Sequence, residues 1–349
     1  MRILVIQQKM IGDVLTSSIL FEALRTKYPN AQLDYLINEH TFSVVENNPF
    51  IDNFIFFTKE AEFSKWALLK LAKSIRKRKY EVVIDVYSKI SSNLIALFSG
   101  ASTKISKYKW YTSFIYTHTY SEEKKSKTNA GLAIENRLKL LTPLLDLKSE
   151  IIQPKIYLTK YEVEASKNFL IQHNLDLSKP IYMISVLGSS EAKTYPLNYM
   201  SVLIDSIVEE TKGQILFNYI PKQEADAKLV FSSCKVETQK HIYFNIFGKN
   251  LREFIAITKH CTALIGNEGG AINMAKALNI KTFAIYSPWI DKASWNLFED
   301  ENNVSVHLKD YKSELYTKPE KTYKKEASAL YDEFKPELFI DKLEDFLSN

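Results

Sequence analysis

Short, almost wholly apolar runs recur along this chain at 2–7, 33–37, 82–86, 182–186, 262–265 and 282–286, and amphipathic helical stretches lie between them. A strand that is apolar along its whole length is buried on both faces, as in a parallel sheet with helices packed on either side. Strand and helix alternating at such short spacing leave little besides a doubly wound α/β fold. The alternation runs to about residue 141 and starts afresh at 182, with Pro143, Lys148-Ser149-Glu150 and Pro154 marking a connection. At 349 residues the chain exceeds one typical core. Two doubly wound domains follow, with both sets of strand C-termini expected to converge on a central cleft.

Within the second half, 264–278 concentrates the glycines. The apolar run ends in Gly266-Asn267-Glu268-Gly269-Gly270, and a helix then carries Ile272, Ala275 and Leu278 on one face. A strand, a glycine turn and a helix N-terminus bring unpaired N–H groups and a positive dipole end together, which suits a phosphate or diphosphate. An ordinary helix-capping turn would look similar. The chain has only 9 glycines, so an adjacent pair points to a backbone need.

The remaining glycines of interest also follow strands. Gly12 precedes Asp13 in the first turn, and Gly188 opens the loop Gly188-Ser189-Ser190-Glu191-Ala192-Lys193-Thr194-Tyr195-Pro196. Asp13 reads either as a helix cap or as a general base that takes a proton from an attacking hydroxyl. Lys193 reads either as a solvated loop lysine or as the cation that neutralises a leaving diphosphate, with Ser189 and Ser190 adding hydroxyls. Glu268 and Asn273 flank the glycine pair. Glu268 reads either as an acceptor for sugar or ribose hydroxyls or as a helix-start acid. Asn273 reads either as a ligand contact or as a polar surface position, and Glu224 is a weaker candidate nucleotide contact.

Several classes are excluded. The first turn lacks G-x-G-x-x-G, against a dehydrogenase. No G-x-S-x-G elbow occurs, against a serine hydrolase. No D-x-D pair ends a strand and the six histidines are scattered, so no metal site is expected. Net charge is +5 without a nucleic-acid-binding signature, so anionic small molecules or surfaces are favoured over nucleic acid. Two cysteines, no long apolar span and a first strand at the N-terminus instead of a leader give a cytoplasmic expectation. The basic stretch 63–79 is expected to form one helix, either packing on the core or docking on an anionic inner-membrane surface. Residues 14–28 are expected as a single helix, 242–244 as a short strand, and 107–131 and 299–335 as irregular polar segments.

In order and spacing, Arg2-Ile3-Leu4-Val5-Ile6 with Ile11-Gly12-Asp13-Val14, then Asn48-Pro49-Phe50-Ile51-Asp52, Lys193-Thr194-Tyr195-Pro196 and 265–278 resemble glycosyltransferase family 9, which includes the ADP-heptose:lipopolysaccharide heptosyltransferases. The resemblance implies a GT-B fold of two Rossmann-like domains. Residues 1–155 would bind the acceptor, with Gly12 on that side, and 156–330 the nucleotide sugar. Residues 331–349 would form a C-terminal helix returning to the first domain. It further implies inverting, metal-independent transfer with no cofactor, in which Asp13 is the general base and Lys193 holds the diphosphate. Gly269, Gly270 and Ala271 would hold the nucleotide sugar, for which ADP-heptose is the favoured donor, and the acceptor would be lipid-linked or an oligosaccharide. Where the family usually has Asp-Thr-Gly and a later histidine, this chain has Glu268-Gly269-Gly270 and Asn273. A UDP- or GDP-sugar donor is therefore one alternative, and a catalytically silent GT-B protein that binds a glycan or partner is another.

Overall fold

The computed structural model describes residues 1–146 and 151–349; the expected connection residues Lys148, Ser149 and Glu150 lie outside them. The chain forms two compact units, Met1–Tyr157 and Leu158–Asn349. No helix among the described residues is long and apolar enough to cross a membrane.

The first unit holds β1 (Arg2–Ile6), β2 (Gln32–Ile37), β3 (Asn53–Phe56), β4 (Val82–Asp85), β5 (Thr103–Lys107) and β6 (His118–Tyr120) in one sheet, ordered β3-β2-β1-β4-β5-β6. Every neighbouring pair is parallel, and Val5 of β1 lies opposite Tyr35 on one side and Ile84 on the other. Ile3, Leu4, Val5 and Ile6 are fully buried, as the apolar run requires. From β1 the chain builds outward to β3 and then returns to β4 on the other side. The winding therefore reverses between β1 and β4, and it is beyond the strand C-termini at such a reversal that doubly wound sheets bind ligands.

Two helices differ from expectation. The 14–28 stretch is broken at Ser18 into Ile11–Ser17 and Ile19–Lys27. The hydroxyls of Thr16 and Ser18 donate back to the carbonyls of Gly12 and Leu15, each at 2.7 Å, and such bonds bend helices. The 63–79 stretch is likewise broken, into Lys59–Phe63 and Lys65–Lys77. Ser64 is extended there, and its hydroxyl accepts from the N–H of Ala67 to cap the second helix. Residues 107–131 are not wholly irregular, since β6 lies among them. It is a three-residue edge strand with no fully buried residue, which explains its missing apolar signal.

The second unit holds β7 (Ile181–Ser185), β8 (Gln214–Phe217), β9 (Ala263–Asn267), β10 (Lys281–Ile285) and β11 (Asn303–Val306), all parallel, ordered β11-β10-β9-β7-β8. Here the reversal lies between β7 and β9. The expected strand at 242–244 is only a single bridge from Ile242 to Ile215. The 299–335 stretch contributes β11 and the helices Glu320–Tyr323 and Ala327–Glu333.

Residues 331–349, expected as a C-terminal helix, are packed on the second unit. Phe334, Phe339, Leu343 and Phe346 are buried in the second unit's own core, and Phe346 lies 5.6 Å, centroid to centroid, from Phe283 of β10. The terminal helix Ile340–Ser348 carries its apolar side against the helix Leu197–Thr211.

Candidate functional site

In the second unit, the loops after β7 and β9 carry most of the residues selected from the sequence, and one side chain joins them. Asn267, the buried last residue of β9, donates from Nδ2 to the Ser185 carbonyl (2.8 Å) and accepts the Tyr195 N–H on Oδ1 (2.7 Å). The loop after β7 also folds on itself. The Gly188 N–H donates to Thr194 Oγ1 (3.0 Å), and the Lys193 N–H to the Ser190 carbonyl (2.9 Å). A Cβ at Gly188 would sit 2.2 Å from the Lys193 carbonyl oxygen, so only glycine permits this closure. Ser287 Oγ and Trp289 Nε1 both donate to the Ala192 carbonyl, at 2.7 and 2.8 Å. The backbone beneath Lys193 is thus pinned from two sides.

The Lys193 ammonium stands 3.9 Å from Glu268 Oε2 and 5.7 Å from the Trp289 ring centre. Glu268 is largely buried, and that burial pushes its carboxyl above the ordinary range, with Lys193 opposing the shift. Among the described residues Glu268 Oε2 has no hydrogen-bond partner. Ser189 and Ser190 are exposed beside this pair in sequence.

The turn after β9 is open at its tip. Gly266 takes φ +125°, and a Cβ there would meet the Ser185 carbonyl oxygen at 2.5 Å, so it serves the close strand pairing. Gly269 takes φ +157°, a conformation that side chains rarely adopt, and caps the helix Gly270–Ala277. Nothing lies within 4 Å of a Cβ built on Gly269 or Gly270, which leaves room against the backbone where the first-turn N–H groups, including that of Ala271, point outward. Asn273 is half-buried one turn further on. Glu224 is not drawn into this cluster: it is exposed and pairs with Lys228 (2.6 Å), whereas its neighbour Gln223 donates to the Gly188 carbonyl (2.9 Å).

In the first unit, Asp13 lies in the first turn of Ile11–Ser17, beyond the C-terminus of β1. It is not the N-cap; that position is Met10, at φ 68°. Sequence reasoning missed its partner. Arg137, on the helix Leu132–Lys139, places Nη2 2.6 Å from Asp13 Oδ1, while its Nε donates to Ser17 Oγ (2.8 Å) and Nη1 to the Ala133 carbonyl (2.8 Å). Oδ2 of Asp13 takes no hydrogen bond among the described residues. Gly12 is bound through its carbonyl by Thr16. Along the same sheet edge Gln8 Nε2, Asn38 Oδ1, Ser88 Oγ and Thr112 Oγ1 are buried without partners among the described residues. They follow β1, β2, β4 and β5 in turn, so this edge offers unused donors and acceptors beside a half-free carboxylate. At the end of β4, burial raises the Asp85 carboxyl, which accepts from Tyr116 Oη (2.6 Å) and the Ser88 N–H (2.8 Å).

The model of a family described as glycosyltransferase family 9 (heptosyltransferase) matches residues 68–324, a stretch that includes Arg137, Lys193 and the glycine turn. The chain belongs to glycosyltransferase family 9. It is a glycosyltransferase, and its two doubly wound sheets are those of the GT-B fold. It is 24% identical over 301 residues to the lipooligosaccharide heptosyltransferase 2 of Haemophilus influenzae, covering 82% of this chain and 84% of that one. Among solved structures, a family 9 glycosyl transferase from Veillonella parvula superposes with a TM-score of 0.82 at 19% identity, over 99% of this chain and 97% of the other. An Escherichia coli heptosyltransferase with ADP-2-deoxy-2-fluoro heptose gives 0.65 at 16% identity, over 88% and 93%. These two are likenesses of fold. Asp13 precedes the stretch matched by the family model.

Proposed function

We propose that this glycosyltransferase moves a heptose from ADP-heptose to a hydroxyl of a lipopolysaccharide-core or related surface glycan, with inversion and without a metal or other cofactor, in the cytoplasm. The observation that carries the reading is the joining, through Asn267, of a cation-bearing loop and an open Gly269-Gly270 turn at one winding reversal. That pairing of a lysine with exposed backbone N–H groups suits a diphosphate.

In the proposed reaction the acceptor oxygen attacks the anomeric carbon, and the bond from that carbon to the diphosphate breaks. The acceptor proton passes to Asp13 Oδ2, and ADP leaves with the bond's electrons. Arg137 holds Oδ1 and so orients the carboxylate. Lys193, the N–H groups of Gly270 and Ala271, and the hydroxyls of Ser189 and Ser190 take up the charge that grows on the departing diphosphate. Glu268 and Asn273 bind hydroxyls of the sugar or ribose, and Glu224 a more distant part of the nucleotide. The name of the Haemophilus relative and the ligand of the Escherichia coli fold relative support heptose and ADP. One observation favours a second donor, a UDP- or GDP-sugar: the replacement of the usual Asp-Thr-Gly by Glu268-Gly269-Gly270, with Asn273 beyond.

Thermal unfolding with ADP, UDP, GDP or CDP tests the donor. A nucleotide at a hundred times its dissociation constant adds about 2.7 kcal/mol. Stabilisation by ADP alone supports the reading, and a preference for UDP or GDP transfers it to the second donor. Absence of any shift overturns the nucleotide-site assignment.

A further inference from the structure

In the first unit, the segment after β5 projects aromatic rings into solvent. Trp110 and Phe114 are each 79% exposed, and Tyr108 and Tyr111 are also exposed. Ile90, at the start of the helix Ile90–Phe98, is exposed as well. This is not a slack loop. The Tyr108 N–H donates to the Tyr120 carbonyl (2.8 Å), the Thr112 and Ser113 N–H groups both donate to the Lys109 carbonyl (3.0 and 2.9 Å), and the Lys109 ammonium donates to the Ser88 carbonyl. Its base is sunk in the core through Ile115 and Tyr116, and the Tyr116 hydroxyl contacts both Asp85 and Asn93, at 2.6 and 2.8 Å. The fold therefore spends a well-anchored backbone on holding four aromatic rings away from the protein, an arrangement unfavourable in water unless the rings meet a partner.

The chemistry of the surroundings selects the partner. Residues 104–127 contain Lys104, Lys107, Lys109, Lys124, Lys125 and Lys127 against only Glu122 and Glu123, and Lys89 adjoins Ile90. Tryptophan, tyrosine and phenylalanine projecting from a lysine-rich stretch match the headgroup boundary of an anionic bilayer. A sugar-stacking surface would not need the wholly apolar side chains of Phe114 and Ile90 exposed to solvent. We propose that the knob spanning Tyr108 to Phe114 docks this protein on an anionic lipid surface. The knob leaves the C-terminal edge of β5, two strands from β1, and Asp13 follows that same edge, roughly 10 Å along the sheet. Docking there presents the catalytic edge of the first unit to hydroxyls carried on lipid headgroups. The assignment is independent of which nucleotide the second unit takes.

Sedimentation of the full chain with vesicles of phosphatidylcholine containing one third phosphatidylglycerol tests the docking. These vesicles carry no glycan, so sugar stacking cannot produce binding. Wild-type protein is expected to bind them and to ignore pure phosphatidylcholine, and Trp110→Ala with Phe114→Ala to weaken binding roughly tenfold or more. Brominated lipid should quench part of the wild-type tryptophan fluorescence but not that part in Trp110→Phe. Both rings are exposed, so unfolding temperature should not move in either variant. A second arm neutralises Lys73, Arg76 and Lys77 of the helix Lys65–Lys77, together with its C-cap Arg78. The proposal is overturned by wild-type protein that ignores anionic vesicles, by a double variant that binds as wild type does, or by binding lost only in the second arm.

Discussion

The two units each bring an acid and a base together at a winding reversal, and they do so in opposite ways. In the first, Asp13 is clamped: Arg137 closes on one carboxylate oxygen at 2.6 Å, and all three guanidinium nitrogens are engaged. In the second, Lys193 and Glu268 stand 3.9 Å apart, too far for a hydrogen bond, and Glu268 has a buried oxygen without a partner among the described residues. A tight pair fixes the direction of a lone pair in advance, as suits a group that must take a proton along one line. A loose pair leaves its cation ready for a stronger anion. On the proposed reading, the first edge is organised before its ligand arrives, and the second is completed by it.

Substitutions that break each pair sharpen the contrast, and the largest effect belongs to Asp13. Asp13→Asn should lower turnover by about 10²–10⁴-fold while calorimetric ADP affinity stays unchanged; near-normal turnover removes the general-base assignment. Lys193→Ala should instead weaken ADP binding about 10–100-fold, the worth of a charge-assisted contact. Measured by the same titration, an unaltered affinity would leave the second edge without its cation. Arg137→Gln should reduce turnover about tenfold, with Arg137→Lys restoring part of it. A change in stability alone, with unmoved turnover, would make the clamp merely structural.

The smallest effect concerns the loose pair. Burial holds the folded Glu268 carboxyl above its unfolded value, so ionising it costs the folded state stability as pH climbs through the folded pKa. Glu268→Gln should therefore be more stable than wild type at pH 8 by about 1 kcal/mol, seen as a higher unfolding temperature, with the gain vanishing by pH 4. The same variant should bind ADP-heptose more weakly. Equal stability at both pH values would show that Glu268 carries no such cost.

Much of this arrangement could be read from the chain before its structure, because alternating apolar runs are a local signal and a scarce glycine has few reasons to exist. Gly188 and the glycine turn stood out for that reason. Arg137 did not, since it meets Asp13 across 124 residues and looks like any helical arginine. Asn267 was hidden differently: a turn residue by appearance, it is a buried strand end whose amide holds two loops. β6 and β11 were missed because they are short edge strands whose sequences, His-Thr-Tyr and Asn-Val-Ser-Val, carry little apolar signal. The aromatics of 331–346 announced a buried face, but only tertiary packing decided that the second unit buries it.

That packing also has a temporal side. The Tyr195 hydroxyl donates to the Phe334 carbonyl (2.7 Å), and the Tyr195 backbone is what Asn267 grips. The loop bearing Lys193 is therefore underpinned by residues made 139 positions later. At ribosomal speeds of ~5–20 residues per second, the tyrosine waits about 7–28 s for the segment that seats it. On the proposed reading, a nascent chain would bind a nucleotide diphosphate only once Phe334 had been synthesised, so fragments released before it would not sequester the donor.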